Sequence, residues 1–276
     1  MLGSQLCRYD SLTSPDLRVW SERLRPVWDP TGNDPKPIVV HRKMWEWLFI
    51  CQALSERGML APGRRGIGFG VGREPLVALF ASLGAELVAT DLAPEQARAA
   101  GWTATGEEYA GDSSELNVAG LCDPVEFARL VSYRFVDMTN IPEDLQRFDF
   151  SWSSCAFEHL GSIQAGENFV VQQMGCLSPG GVAVHTTEFN VSSDDHTIDS
   201  GPTVLYRRRD IDRLIDRLVG NGYLVTCDFT EGIAPPDVHV DVPPFTETHL
   251  RTMLGEYVTT SIALVIEKPG APSSLD

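Results

Sequence analysis

Residues 64–75, "RRGIGFGVGREP", place glycine at four alternate positions: Gly66, Gly68, Gly70 and Gly72. Glycine loses more backbone freedom on folding than any other residue, so such density inside an apolar stretch is costly. Something must approach that backbone too closely to admit a Cβ. "GIGFG" reads as a short strand running into a glycine loop, and "PLVALFASLG" (75–84) as a helix opened by Pro75 and closed by Gly84. "AELVATD" (85–91) is a second strand, ending on the carboxylate of Asp91. In open α/β sheets, glycines after one strand let a nucleoside ligand lie against the first helical turn. An acid ending the next strand accepts bonds from its ribose hydroxyls.

The rest of the chain keeps this rhythm. "VVHRKMWEWLFICQALSERG" (39–58) has apolar residues at helical spacing and Gly58 as a left-handed cap. "YRFVD" (133–137), "FDFSWSS" (148–154), "GGVAVHTTE" (180–188), "YLVTCDF" (223–229) and "YVTTSIALVIEK" (257–268) read as strands, and "RDIDRLIDRLVGNG" (209–222) as an amphipathic helix. The expected fold is α/β: a doubly wound, mostly parallel, seven-stranded sheet with an antiparallel last strand and helices on both faces. Residues 1–37 carry no sustained period and read as an irregular, partly ordered arm. With the following helix they form an N-terminal segment, 1–62, covering the site. The main domain is 63–269, with an insertion at about 100–131, and a disordered tail follows at 270–276. "CDPVEFARLV" within the insertion has its own helix start, with Asp123 as cap, Pro124 in the first turn and Glu126 at the capping-box position.

Composition narrows the class. The chain has 276 residues, 43% hydrophobic, and a formal net charge of −16, a field that repels nucleic acid and anionic membrane. It has no apolar run of the roughly 18 residues that span a bilayer, and its first residues do not read as a secretory signal, so a cytoplasmic location is expected. The six cysteines form no CxxC pair and read as reduced packing thiols. Neither GxGxxG register fits, since Val71 and Arg73 fall where the third glycine belongs, and no GK[ST] of a P-loop is present.

Taken in order, these features resemble the class I S-adenosylmethionine-dependent methyltransferases over about residues 64–268, and more loosely their bacterial sugar- and glycan-modifying members. "GIGFGVG" is similar to the glycine loop, with Gly68, Gly70 and Gly72 in its characteristic positions and Phe69 among them. The resemblance implies S-adenosyl-L-methionine as cofactor, with Asp91 on the ribose, Leu92 beside it, Asp137 and Met138 at the adenine, and Ser153 on the neighbouring strand. It also implies a terminal antiparallel hairpin. One departure stands out: the family commonly has an acid two residues before the first loop glycine, helping to hold the methionine portion. Here that residue is Gly66, which leaves Arg73, Glu74, Arg42 and Lys43 as candidates for that task.

Methyl transfer to an alcohol needs a group to take its proton, typically His, Asp or Glu. "CAFEHLG" supplies Glu158 and His159 after the fourth strand, and "HTTEFN" supplies Glu188 and Asn190 after the fifth, with His185 reading as an interior histidine. His159, Glu188 and Glu158 are the candidate catalytic residues, and Asn190 a candidate substrate ligand. Against these readings, Glu158–His159 and Glu188 also suit loop bracing, and Trp45 and Trp47 suit core or lid packing. Asp194, Asp195 and His196 fix no ligand geometry, and no metal is expected. The expected function is methylation of an oxygen on a small-molecule or glycan acceptor. N- or O-methylation of a natural product and a non-catalytic cofactor-binding module remain as alternatives. Oligomeric state is left open.

Overall fold

The computed structural model describes residues 1–99, 109–245 and 248–270. The 100–108 part of the expected insertion and the expected tail from 271 onward lie outside the described residues. In chain order the elements are β1 (Ser4–Leu6), α1 (Tyr9–Leu12), α2 (Pro15–Trp28), α3 (Arg42–Ser55), β2 (Arg65–Phe69), α4 (Leu76–Ser82), β3 (Glu86–Asp91), α5 (Pro94–Ala99), α6 (Pro124–Leu130), β4 (Val131–Phe135), β5 (Phe148–Ser154), α7 (Ile163–Gln173), β6 (Leu177–Asn190), α8 (Arg208–Gly220), β7 (Cys227–Asp228), α9 (Pro235–Val238), β8 (Val240–Asp241), β9 (Arg251–Leu254) and β10 (Tyr257–Glu267).

The strands form one sheet in the order β4-β3-β2-β5-β6-β10-β1-β7, with β9 on β10 and β8 on β9. The five strands from β4 to β6 are parallel, and β10 runs antiparallel to β6 and β1. Chain order reverses between β2 and β5, where such sheets leave a crevice beyond the carboxyl ends of the strands. Helices cover both faces. Trp45, Phe49 and Leu76–Ala81 pack on one, and Phe169, Ile211, Leu214 and Leu218 on the other.

The α/β class is as the sequence predicts, with β1, β8 and β9 added to the seven expected strands. Two expectations fail. The N-terminal arm is regular where irregular structure was expected: β1 lies between β10 and β7, and α2 starts on a Ser14 cap with Pro15 in its first turn. The expected final hairpin is therefore split. β7 keeps two residues of the expected 223–229 and pairs with β1, not β10. The Asp123 cap forms, its carboxylate accepting from Val125 N and Glu126 N at 2.9 and 3.1 Å. Glu126 turns instead to Arg129.

The glycine run divides into two jobs. A Cβ on Gly66 would collide with the Phe150 ring, and one on Gly68 with Trp152 and Val71. These two glycines make room for aromatic rings of the neighbouring strand. Gly70 and Gly72 have φ of +58° and +49°, a left-handed backbone that L side chains resist, and they shape the loop.

Candidate functional site

A cavity of about 530 Å³ opens at the crevice between β2 and β5. One half is the glycine loop with its neighbours: Gly70 and Gly72, Asp91 and Leu92 ending β3, Val136 and Met138 after β4, and Tyr109. Asp91 accepts from Gly72 N at 3.0 Å and Leu92 N at 2.8 Å. Burial pushes it up to about 6, against those two donors. Tyr109 donates its hydroxyl to Leu92 O at 2.9 Å, so the insertion does reach the pocket.

The other half is charged. α3 contributes Arg42 and Lys43, β5 leads into Ser154 and Cys155, the turn after it carries Glu158 and His159, and β6 presents Glu188. A buried chain of alternating charge runs through this half. Glu74 Oε1 lies 3.6 Å from Lys43 Nζ, which is 2.9 Å from Glu46 Oε2. Glu46 Oε1 is 3.5 Å from Arg42 Nη1, and Arg42 Nη2 pairs with Glu188. Glu46 is fully buried, also accepts from the Ser154 and Ser261 hydroxyls, and is held down at about 2: its cations and hydroxyl donors outweigh burial. Burial pushes Glu188 up to about 7, Arg42 opposing and Glu158 and Glu46 adding to the rise. Glu158 accepts from the Thr187 hydroxyl at 2.9 Å through Oε2. Its Oε1, Glu188 Oε2 and Glu74 Oε2 are buried with no hydrogen-bond partner among the described residues. Buried polar atoms are ordinarily paired, so three such oxygens on one cavity mark a place for donors supplied from outside the chain. His159 Nδ1 lies 2.9 Å from Pro202 O. A carbonyl can only accept, so Nδ1 carries a proton and donates it there.

Of the sequence candidates, Gly70, Gly72, Asp91, Leu92, Met138, Glu158, His159 and Glu188 line this cavity, as do Arg42, Lys43, Arg73 and Glu74. Five do not. Gly68 serves packing, as above. Phe69 is a core side chain, edge-on to Phe169 at 5.3 Å. Asp137 caps its own turn, accepting from Thr139 N and Oγ1. Ser153 faces away from the cavity and bonds His185 Nδ1 at 2.8 Å. Asn190 braces the following loop, accepting from Ser192 and Ser193 and donating to His196 O. His185 is interior but only half paired: Nε2 has no partner among the described residues, and burial lowers it to about 3, so it stays neutral.

Trp45 packs in the core and Trp47 lines the cavity. Glu46 and Cys155 were missed. Cys155, at φ +47°, is a strained non-glycine at the end of β5. Asp194 and Asp195 are taken up by Arg209, and among the described residues no cluster of three or more His, Cys, Asp or Glu could hold a metal ion. The cysteines are free, and no described helix is long and apolar enough to cross a membrane.

No protein-family model and no curated protein matches the chain. Solved structures do resemble it. Magnesium protoporphyrin IX methyltransferase from Synechocystis, with bound S-adenosylhomocysteine, is 12% identical with a TM-score of 0.47, over 94% of this chain and 97% of that one. An S-adenosylmethionine-dependent methyltransferase from Clostridium acetobutylicum is 11% identical with a TM-score of 0.45, over 91% and 98%. The [4+2]-cyclase SpnF is 13% identical with a TM-score of 0.49, over 94% and 98%. Likeness this distant leaves the ligand to be read from the cavity's own residues.

Proposed function

We propose that the chain is an S-adenosylmethionine-dependent methyltransferase acting on an oxygen of a small polar acceptor, a sugar or glycan being the favoured class. The carrying observation is that a single cavity joins a glycine-loop half to a half lined with buried, unpartnered carboxylate oxygens. The residues fit the cofactor: side chains at Gly70 and Gly72 would be strained, Asp91 would hold the ribose hydroxyls, and Leu92, Val136 and Met138 would give the base an apolar wall. When bound, the cofactor supplies a methyl group on a sulfonium, and most of the chemical drive with it.

The chain's own work is alignment, water exclusion and the proton. His159, on the cavity wall and oriented by the bond from Nδ1 to Pro202 O, takes the hydroxyl proton of the acceptor. Glu158 and Glu188 accept from neighbouring acceptor hydroxyls, and the Arg42 ion pair fixes Glu188 in place. Hydroxyl-rich acceptors match these acceptor atoms. An amine acceptor is the second reading, favoured by the same two carboxylates, since both would also accept N–H bonds from a neutral amine, whose lone pair attacks without a base. The deciding experiment offers an isotope-labelled methyl donor with nucleotide sugars, glycosides and amines, and identifies the methylated atom in the product. Methyl on oxygen supports the first reading and methyl on nitrogen the second. Saturation by NADH with no binding of S-adenosylhomocysteine would overturn both.

A further inference from the structure

Gly66 stands where the resembled family carries an acid, and the structure closes that position: the Phe150 ring fills the space a Cβ would occupy. No side chain can act from there. The cavity holds another carboxylate, two residues beyond Gly72. Glu74 is largely buried and lines the cavity, and its Oε2 has no partner among the described residues. Its other oxygen is 3.6 Å from Lys43 Nζ, an ion pair too long for a hydrogen bond. Lys43 is anchored independently, 2.9 Å from Glu46 Oε2. The other nearby cations are committed elsewhere: Arg42 to Glu188 and Glu46, and Arg73 to Glu115 at 3.0 Å.

We propose that Glu74 and Lys43 form the cradle for the α-amino-acid end of the cofactor, Glu74 accepting from its ammonium and Lys43 donating to its carboxylate; the assignment rests on reading the cavity as an S-adenosylmethionine site. A zwitterion entering the loose Glu74–Lys43 pair adds no net charge to the buried region. Each of its ends gains a charge-assisted bond, and Lys43 keeps Glu46 throughout. Burial holds Glu74 up at about 7, with Lys43 and the Ser154 and Trp47 donors opposing and Glu46 adding.

The test uses the full chain and two ligands in titration calorimetry: S-adenosylhomocysteine, and 5′-methylthioadenosine, which keeps the adenosyl group and sulfur but has no amino-acid tail. Wild type should bind S-adenosylhomocysteine the more tightly. Glu74→Gln should weaken it about 10- to 150-fold, the range for losing a hydrogen bond to a charged group, and leave 5′-methylthioadenosine within about twofold. Lys43→Gln should shift the two ligands in the same pattern. Unchanged 5′-methylthioadenosine binding shows that each variant is folded with its adenosyl end intact. A Glu74→Gln variant that binds S-adenosylhomocysteine like wild type, or loses both ligands equally, overturns the cradle while the cofactor reading stands. Failure of wild type to bind either ligand overturns the cofactor reading, and the cradle with it.

Discussion

The two halves of the cavity are built by opposite means. The glycine-loop half is made of backbone: Gly70 and Gly72 hold left-handed conformations, and the Gly72 N–H pins Asp91. The carboxylate half is made of side-chain charge gathered from remote parts of the chain. Glu46 meets Ser154 across 108 residues and Ser261 across 215. A site shaped by backbone loses function one contact at a time. A buried network of alternating charge behaves as a unit, because removing one member strands its neighbours.

The largest effect should come from the chemistry of the charged half. His159→Asn should lower turnover by about 10²- to 10⁴-fold while S-adenosylhomocysteine affinity holds, measured by labelled methyl transfer and calorimetry. Near-normal turnover would move the reading to an amine acceptor. Arg42→Met tests whether the charges act together. Stranding Glu188 and Glu46 should cost about 3–5 kcal/mol in urea unfolding, and a loss below about 1 kcal/mol would dissolve the contrast between the halves. In the loop half, Asp91→Ala should weaken S-adenosylhomocysteine by about 1.5–3 kcal/mol and leave the unfolding midpoint nearly in place.

A pH titration sharpens the same contrast. Glu188 binds its proton more tightly in the folded chain, at about 7, than at its ordinary 4.5. Its contribution to stability is therefore complete below about pH 4.5 and is lost as pH rises through about 7. Glu188→Gln should flatten that decline, by an amount on the order of 2 kcal/mol between pH 5 and 8. An equally steep decline in the variant would place the titrating group elsewhere. The smallest effect belongs to the loop: Gly70→Ala, forcing a side chain into φ +58° with its Cβ 2.9 Å from that of Ala156, should cost about 1–2 kcal/mol of stability in thermal or urea unfolding.

How much of this was legible follows from how far apart the partners lie. The sequence reading of Phe148–Ser154 as a strand and of Asp91 as a strand-ending acid matches the structure, because both rest on local pattern. Ser153 and Ser154 show the limit. Side chains alternate along a strand, so one serine faces the cavity and the other His185, and local sequence does not say which. Asp137 and Asn190 sit where a ligand residue belongs, yet their carboxylate and amide oxygens are taken by N–H groups two or three residues on, a short-range competition that type and position alone do not reveal. Gly66 and Gly68 owe their identity to rings on β5, some eighty residues downstream. Glu46 did leave a signal: it is a carboxylate on a buried helix face, three and four residues from Lys43 and Arg42.

The placement of β1 bears on how the molecule is made. The Val265 N–H donates to the Ser4 hydroxyl, a contact between residues 261 apart in the chain. At the roughly 5–20 residues per second of ribosomal synthesis, Ser4–Leu6 emerges tens of seconds before its partner β10 exists. β7, the strand on its other side, is made earlier, but until β10 exists the sheet cannot close around it. Placing β1 in the sheet thus waits on a strand made about 250 residues later.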